Sequence, residues 1–238
     1  PDGIELDGYL IKPKDFDENQ TYPLVLNIYG GPGAQSVYNE FGVNGWEQYL
    51  AQQGYVVASV NNRGSGGYGS EFEKVVYKNL GIYESADFVA TANFLGDQPW
   101  VDAANMAIRG HSYGGYMSSF TSVYRPGIFK AAIVGAPVTD WRLYDSIYAE
   151  RYMGLLSDNE ENYIESSATA HAPNLQDEIF IAHNVSGPYR RRVIEAFQSY
   201  RVPLNMEIEL PTIETIRRLV QLNLGVAFLP RMCVQQEL

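Results

Sequence analysis

The chain has 238 residues, of which 45% are apolar and 13% aromatic, and it carries a formal net charge of -11. This composition excludes a disordered chain, and the acidic balance argues against nucleic acid as a partner because phosphate binding depends on clustered Lys and Arg. No apolar run reaches the roughly 18 residues of a membrane span, and the first ten residues, PDGIELDGYL, lack the pattern expected of a signal peptide. We therefore expect a soluble, cytoplasmic protein that binds no membrane. The single cysteine, Cys233, predicts no disulfide and no zinc site, and nothing indicates a metal or a cofactor.

Apolar runs of strand length alternate with helical segments, which is typical of a three-layer α/β/α sandwich with a mostly parallel sheet. The predicted strands are 22–30, 55–61, 105–110, 130–137, 178–184, 205–210 and 225–230, and GYLIKP near the start is predicted to be an edge strand. The predicted helices are 39–53, 70–80, 83–96, 114–124, 187–200 and 213–223. The segment 139–175 is predicted to be irregular, and its many aromatic residues favour a functional loop or cap. We expect one domain, residues 1–238.

A glycine-rich stretch, RGSGGYG, matches the spacing of a dinucleotide-binding fingerprint through Gly64, Gly66 and Gly69. Such a site needs a second strand that ends in an acidic residue about 20 residues further on. The residues found there, SADFVATANFLG, predict a helix instead. A glycine-rich surface loop is the better interpretation of this stretch.

The stretch GHSYGGYMS, residues 110–118, has the form G-x-S-x-G of a nucleophile elbow, in which a serine occupies a tight turn between a strand and a helix. Ser112 follows the predicted strand 105–110 directly, and YGGYMSSF begins a predicted helix. The small residues allow the turn to pass close to the sheet. The pattern predicts Ser112 as a nucleophile, which needs a histidine as general base and an acid to orient that histidine.

Five blocks in order carry a family resemblance: NIYGGPGAQ, NNRGSGGYG, GHSYGGYMS, APVTDWRLYDSIYAERYMG and NYIESSATAHAPNL. Through these blocks, residues 1 to about 176 resemble the catalytic domain of the prolyl oligopeptidase family, specifically its dipeptidyl peptidase IV branch. The resemblance implies an α/β-hydrolase fold and cleavage after proline or alanine near the N-terminus of a peptide. The expected partner is accordingly a peptide or a small-molecule ligand.

The same resemblance implies roles for individual residues. Ser112 would be the nucleophile, and the Tyr29 hydroxyl and the Tyr113 backbone N–H would donate hydrogen bonds to the oxyanion. The apolar pocket for the proline ring would be lined by Tyr113, Val138, Trp141, Tyr144 and Tyr148. Judged by residue type alone, these aromatic residues also fit an ordinary core beneath a long loop.

The acid and base of the triad are not found where the resembling family carries them. An α/β-hydrolase has the chain order Ser, acid, His, and the family has these residues in blocks similar to HGTADDNVH and ERHG. The corresponding stretches here, IAHNVSGPYRRRV and IELPTIETIRRLV, lack the acid of the first block and the histidine of the second. We therefore predict that the chain is inactive or strongly impaired, with weak hydrolysis through Ser112 as the alternative.

Three histidines are present, and a rewired triad is a further alternative. His111 precedes the nucleophile, and its side chain is expected to point away from the Ser112 hydroxyl. The other two histidines, His171 and His183, are candidates for the base, with Asp140, Asp145 or Asp177 as the acid. The sequence alone does not decide between them, because a triad is defined by its geometry.

The last part of the chain has a second likeness. The stretch ELPTIETIRRLVQLNLGVAFLP makes residues 178–238 similar to the second effector-binding lobe of LysR-type transcriptional regulators. Two unrelated families in one chain indicate a chimera, and an engineered one, with a hydrolase-derived segment at 1–176 and a LysR-like segment at 177–238. A β-α-β-α-β segment from such a lobe can complete an α/β sheet, since right-handed crossovers let one such unit replace another. The surface left exposed at the sheet edge allows a homodimer.

Overall fold

The structure is a computed structural model that describes residues 2–42 and 44–174 and, beyond these, the backbone of three short strands. The strands in chain order are β1 (Gly8–Ile11), β2 (Tyr22–Ile28), β3 (Val56–Val60), β4 (Val101–His111), β5 (Ala131–Gly135), β6 (Ile181–His183), β7 (Ile208–Leu210) and β8 (Phe228–Leu229). The α-helices are α1 (Gly45–Gln52), α2 (Ser70–Lys74), α3 (Ile82–Gly96), α4 (Tyr113–Tyr124), α5 (Ser146–Met153) and α6 (Leu156–Glu165). The predicted helices 187–200 and 213–223 lie outside the described residues.

Six strands form one sheet in the order β1-β3-β2-β4-β5-β8. Strands β2 to β5 and β8 run parallel to their neighbours, whereas β1 pairs antiparallel with β3 at the edge. The sheet is therefore mixed, and the prediction of a mostly parallel sheet is corrected here. Two consecutive strands can run parallel only if a crossover connection, usually a helix, joins them. The chain between β1 and β2 contains no helix, so β1 runs opposite to β2 and also to β3, which is parallel to β2. The predicted edge strand GYLIKP is confirmed as β1.

The two faces of the sheet bury different amounts of apolar surface. Side chains alternate along a strand, so Leu24, Leu26 and Ile28 of β2 face a large core together with α3 and α4. The opposite face carries a small cluster around Val25, which packs with residues of β4, β5 and α1. The main core of the described part thus lies between the sheet and the α3 and α4 layer.

The segment 139–175 is largely helical, and its prediction as irregular is wrong. It contains α5, α6 and two 3₁₀ helices, at Trp141–Leu143 and Ala168–Asn174. Helix α5 is capped by Asp145, whose side chain accepts a hydrogen bond from the Tyr148 N–H at 2.8 Å, and it ends at Gly154, where φ is 77°. A short-side-chain acceptor before a helix and a glycine after it are ordinary start and stop signals.

The end of the chain enters the described structure only as strands. Strand β8 pairs parallel with β5 and so joins the six-stranded sheet, while β6 and β7 pair with each other in a separate two-stranded sheet. Most of the chain after residue 174 lies outside the described residues. The single domain 1–238, and its division at 176, therefore stay predictions.

Candidate active site

Ser112 connects β4 to α4 in the tight turn that the motif predicts. Its backbone has φ 60° and ψ -117°, a region that a residue with a side chain rarely adopts. The Ser112 N–H donates to the Gly135 carbonyl at 2.8 Å, and the Ser112 carbonyl accepts from the Tyr116 N–H at 2.9 Å. Such strain costs about 1–3 kcal/mol and is typical of functional sites, so the backbone of Ser112 is that of a nucleophile elbow.

Three glycines allow this turn to form against the sheet. A Cβ atom at Gly110 would overlap the backbone of Gly114, and one at Gly114 would overlap the carbonyl of Ile28. A Cβ atom at Gly115 would overlap the carbonyl of Gly135. The first turn of α4 therefore passes between the ends of β2 and β5, and Ser112 lies where these two strands and β4 end.

The two residues predicted as oxyanion donors lie at the same edge of the sheet. Tyr29 directly follows β2 and is 39% exposed, and its ring centroid is 6.2 Å from that of Tyr113. Burial raises the pKa of Tyr29, and Tyr144 and Tyr152 raise it further, so the Tyr29 hydroxyl keeps its proton and can donate it in a hydrogen bond. The Tyr113 N–H is the first of α4, where backbone donors have no partner within the helix.

The aromatic residues predicted to line a pocket form one cluster beside the elbow. The Trp141 ring stacks on Tyr148 with centroids 5.9 Å apart, and it lies 5.8 Å from both Tyr113 and Tyr144. Trp141 and Tyr113 are buried, whereas Tyr144 is 45% exposed. Val138, the fifth predicted residue, is half-buried against the main core. The cluster is thus buried on one side, as expected of an ordinary core, and exposed at Tyr144, as expected of a binding pocket.

A sequence profile described as "Prolyl oligopeptidase family" matches residues 41–186, which span the elbow and the aromatic cluster. The chain belongs to the prolyl oligopeptidase family. The match continues ten residues past 176, the boundary predicted for the hydrolase-derived segment.

Relatives within the prolyl oligopeptidase family match most of this chain. A probable dipeptidyl-aminopeptidase B of Arthroderma benhamiae is 44% identical over 176 residues, which are 73% of this chain and 19% of that protein. The mouse prolyl endopeptidase FAP is 43% identical over 166 residues, 68% of this chain and 22% of that protein. The crystal structure of Porphyromonas gingivalis dipeptidyl peptidase 4 superposes with a TM-score of 0.77 at 36% identity, and the match covers 92% of this chain and 33% of that one. This chain therefore spans about a fifth of the length of the curated relatives.

Asp140, a candidate acid for a rewired triad, is hydrogen-bonded to Arg142, next to Trp141 of the aromatic cluster. Its carboxylate accepts hydrogen bonds from the Arg142 N–H at 3.0 Å and from the Arg142 side chain at 2.6 and 2.9 Å. Burial raises the pKa of Asp140, but the hydrogen bonds from Arg142 outweigh burial and lower it. The Ser167 hydroxyl donates to the Asp140 carboxylate at 3.3 Å and accepts from the Trp141 backbone N–H at 3.1 Å. Asp140 thus helps to hold Trp141 in place, and Asp145 caps α5.

The histidines are distributed over different parts of this prolyl oligopeptidase domain. His171 lies within 2.7 Å of the Glu165 carbonyl, and its ring packs against Phe120 and Tyr124. Phe120 is eight residues after Ser112, about 12 Å along the helix axis at 1.5 Å per residue, so the structure does not bring His171 to the nucleophile. The His111 ring lies beside the backbone of Gly135. The side chains of His183 and Asp177 lie outside the described residues.

A further functional candidate, which no sequence motif indicates, is Glu84 on α3. Its side chain is 0% exposed, and it accepts hydrogen bonds at 2.9 Å from the Tyr113 hydroxyl and from the Gly81 N–H. Burial raises the pKa of Glu84 from 4.5 to about 7. The spacing Gly81-x-x-Glu84 is a signal for the start of a helix, but nothing in the sequence places Glu84 beside Tyr113.

Within the described ranges, no group of three or more His, Cys, Asp and Glu side chains is arranged to hold a metal ion. No helix in the same ranges is long and apolar enough to cross a membrane. At the elbow the described residues thus place a serine beside a tyrosine that keeps its proton, Tyr29, and a cluster of aromatic rings.

Proposed function

We propose that this chain is a dipeptidyl-peptidase-like serine hydrolase segment that binds prolyl substrates but turns them over very slowly. The observation that carries the proposal is the elbow of Ser112, with φ 60°, beside Tyr29 and the aromatic cluster. Family membership and 44% identity to a probable dipeptidyl-aminopeptidase B support it. The impairment follows from the stretches IAHNVSGPYRRRV and IELPTIETIRRLV, which stand in place of the acid and base blocks.

The proposed chemistry begins with attack of the Ser112 Oγ on the carbonyl carbon of the substrate. The carbonyl oxygen becomes an oxyanion, to which the Tyr29 hydroxyl and the Tyr113 N–H donate hydrogen bonds. The hydroxyl proton must leave during attack, and we propose that water takes it, because the stretch IELPTIETIRRLV lacks the histidine of the family's block. Loss of triad members typically removes about a millionfold of the rate, while the oxyanion hole and binding retain about 10³ to 10⁴ over water. Activated esters are therefore the substrates that this chain hydrolyses best.

The pocket accounts for the proposed preference for proline. Trp141, Tyr148 and Tyr144 present ring faces and edges, which bury an apolar ring without asking for a hydrogen bond. Burial raises the pKa of Tyr148 well above its ordinary value, so this phenol is neutral at neutral pH. Selection then rests on the area and shape of the cluster, which discriminate by about 1–3 kcal/mol per methylene.

Labelling with a fluorophosphonate probe tests the role of Ser112. The Oγ attacks phosphorus and fluoride leaves, so a labelled serine reports its own nucleophilicity. We expect slow labelling that Ser112→Ala abolishes and that Ser157→Ala, at an exposed serine, leaves unchanged. Labelling that survives in Ser112→Ala would overturn the proposal. Rapid turnover of a Gly-Pro anilide would support the hydrolase and overturn its impairment.

We further propose that residues 177–238 are a LysR-like segment that completes the sheet of an engineered chimera with no selected activity of its own. The stretch ELPTIETIRRLVQLNLGVAFLP supports this origin, and the pairing of β8 with β5 fits a single domain. All three tryptophans lie in residues 1–176. We expect urea unfolding followed by tryptophan fluorescence and by far-UV circular dichroism to coincide. Two separated transitions would contradict the single domain.

A further inference from the structure

Glu84 is hydrogen-bonded to Tyr113, the residue that follows the nucleophile. Tyr113 is buried, and its hydroxyl donates to one oxygen of the Glu84 carboxylate at 2.9 Å. The other oxygen accepts from the Gly81 N–H, also at 2.9 Å. Both oxygens are thus occupied by donors in fixed positions, one at the start of α3 and one at the start of α4. The Tyr113 side chain has little freedom while Glu84 remains ionised.

A second tyrosine of α4 strengthens the same junction. The Tyr116 hydroxyl lies close to the Leu80 carbonyl at 3.1 Å and to the Ser166 carbonyl at 2.7 Å. Gly81 has φ 90°, and a Cβ atom there would overlap the Tyr116 hydroxyl. Residues 80–84 therefore run directly against the first turn of α4, where the elbow and the proposed oxyanion donor are found.

The electrostatic surroundings of Glu84 are unlike those of a structural ion pair. Its hydrogen-bond donors are a phenol and a backbone N–H, both neutral, and within the described ranges the structure shows no salt bridge to it. A buried carboxylate without a cation costs stability. The titratable groups that influence it are Asp87 on α3, Tyr113 and Tyr116 on α4, and Tyr148 on α5.

We propose that Glu84 is a positioning residue of the active site, which acts through Tyr113. By holding the Tyr113 hydroxyl, it fixes the ring that lines the proline pocket and the peptide N–H that follows Ser112. This inference rests on the proposed function, because it assigns Glu84 a part in binding at that same site. Protonation of Glu84 turns one of its two acceptor oxygens into a donor and removes the charge that strengthens the hydrogen bond from Tyr113, so the positioning is strongest in the ionised form.

Affinity for a glycyl-prolyl boronate tests this role without requiring turnover. The Ser112 Oγ adds to the trigonal boron and the hydroxyl proton passes to solvent, which leaves a tetrahedral anion in the oxyanion site. A glutamine resembles the protonated glutamic acid, with one acceptor and one donor. We expect Glu84→Gln to bind like the unmodified chain at about pH 5.5 and about tenfold more weakly at about pH 8.5, where Glu84 is ionised. Taking the ratio of the two affinities at each pH cancels the titration of the boronate itself.

Two further variants complete the test. Tyr113→Phe removes the other partner of the same hydrogen bond, so it should weaken binding by a similar factor at high pH, and the double variant should lose no more than either single one. Glu71→Gln, at an exposed glutamate of α2, should change nothing at either pH. An affinity ratio independent of pH, or additive losses, would overturn the positioning role. If Glu84→Gln does not fold, Tyr113→Phe decides alone, and unchanged affinity at about pH 8.5 overturns the role.

Failure of the underlying function has a different signature. If Ser112→Ala binds the boronate as well as the unmodified chain, or neither binds, then the proposed hydrolase site is wrong. If binding depends on Ser112 but not on Glu84, then the site stands and only the positioning role falls.

Discussion

Each face of the sheet buries a glutamate, and the two glutamates differ in whether a cation belongs to their hydrogen-bond network. On the α1 face, Glu47 accepts hydrogen bonds from Tyr9 and Asn27, and Asn27 in turn accepts one from Arg109 at 2.9 Å. Burial lowers the pKa of Arg109, and the charge of Glu47 opposes that effect. A carboxylate and a guanidinium thus share one buried network on this face.

On the α3 and α4 face, Glu84 has only neutral donors, and the nearby charge that acts on it, Asp87, is of the same sign. Asp87 itself is paired with the buried Arg63 at 2.7 Å. The difference teaches that burial of an acid is not by itself a sign of function. Glu47 and Asp87 stand in networks that include a cation, whereas Glu84 lacks that compensation and lies beside the elbow.

The largest expected effect concerns the charge-paired acid. Arg63→Met leaves Asp87 buried without its cation and removes two of the side-chain N–H groups that bind it. Loss of one partner from a buried pair costs about 3–5 kcal/mol, which urea denaturation would measure. Arg151→Met, at an exposed arginine, should stay within about 0.5 kcal/mol of the unmodified chain. A small loss in Arg63→Met would show that Asp87 needs no cation, and the contrast with Glu84 would disappear.

The second effect is a dependence of stability on pH. The pKa of Glu84 is raised from 4.5 in the unfolded chain to about 7 in the folded one. The folded state therefore holds this proton more tightly, so its contribution to stability is complete below pH 4.5 and is lost as pH rises toward 7. At 1.36 kcal/mol per unit the loss is about 3 kcal/mol. The difference in unfolding free energy between the unmodified chain and Glu84→Gln should change by this amount across the window, and a constant difference would contradict the pKa.

The smallest effect tests whether the faces are independent. The Asn44 side chain caps α1 and accepts from the N–H groups of Trp46 and Glu47 at 3.1 and 3.4 Å. Asn44→Ala should cost about 1 kcal/mol in urea denaturation because it removes this cap. Affinity for the boronate should stay within about twofold, since sites that share no partner behave additively. A larger loss of affinity would reveal coupling through the sheet.

Much of the fold was predictable because apolar runs specify strands directly. The predicted strands 22–30 and 55–61 are observed as Tyr22–Ile28 and Val56–Val60, since nearly every residue in them is buried. Strand direction was less accessible, because the edge strand β1 needs no crossover helix. The helices of 139–175 escaped prediction because their exposed faces carry large apolar residues such as Leu143 and Ile147, which obscure helical periodicity.

The candidate site divides in the same way. The elbow is a local pattern, so Ser112 could be placed from its neighbours alone. Tyr29 and Trp141 were assigned through the family resemblance, and the structure brings both to the surroundings of Tyr113. Their catalytic and binding roles stay predictions. Glu84 lies 29 residues before Tyr113 in the chain, and only the packing of α3 on α4 joins them, which no local pattern reports.

The Tyr116 hydroxyl, between the carbonyls of Leu80 and Ser166, has a consequence for how the molecule opens. It links α4 both to the segment that precedes α3 and to the end of α6, three parts of the chain that are far apart in sequence. Displacement of Tyr116 breaks the contacts to both other parts at once, so we expect opening of α4 to expose the amide protons of all three parts together. We then expect the strained backbone of the elbow to last as long as the packing of the helices around it.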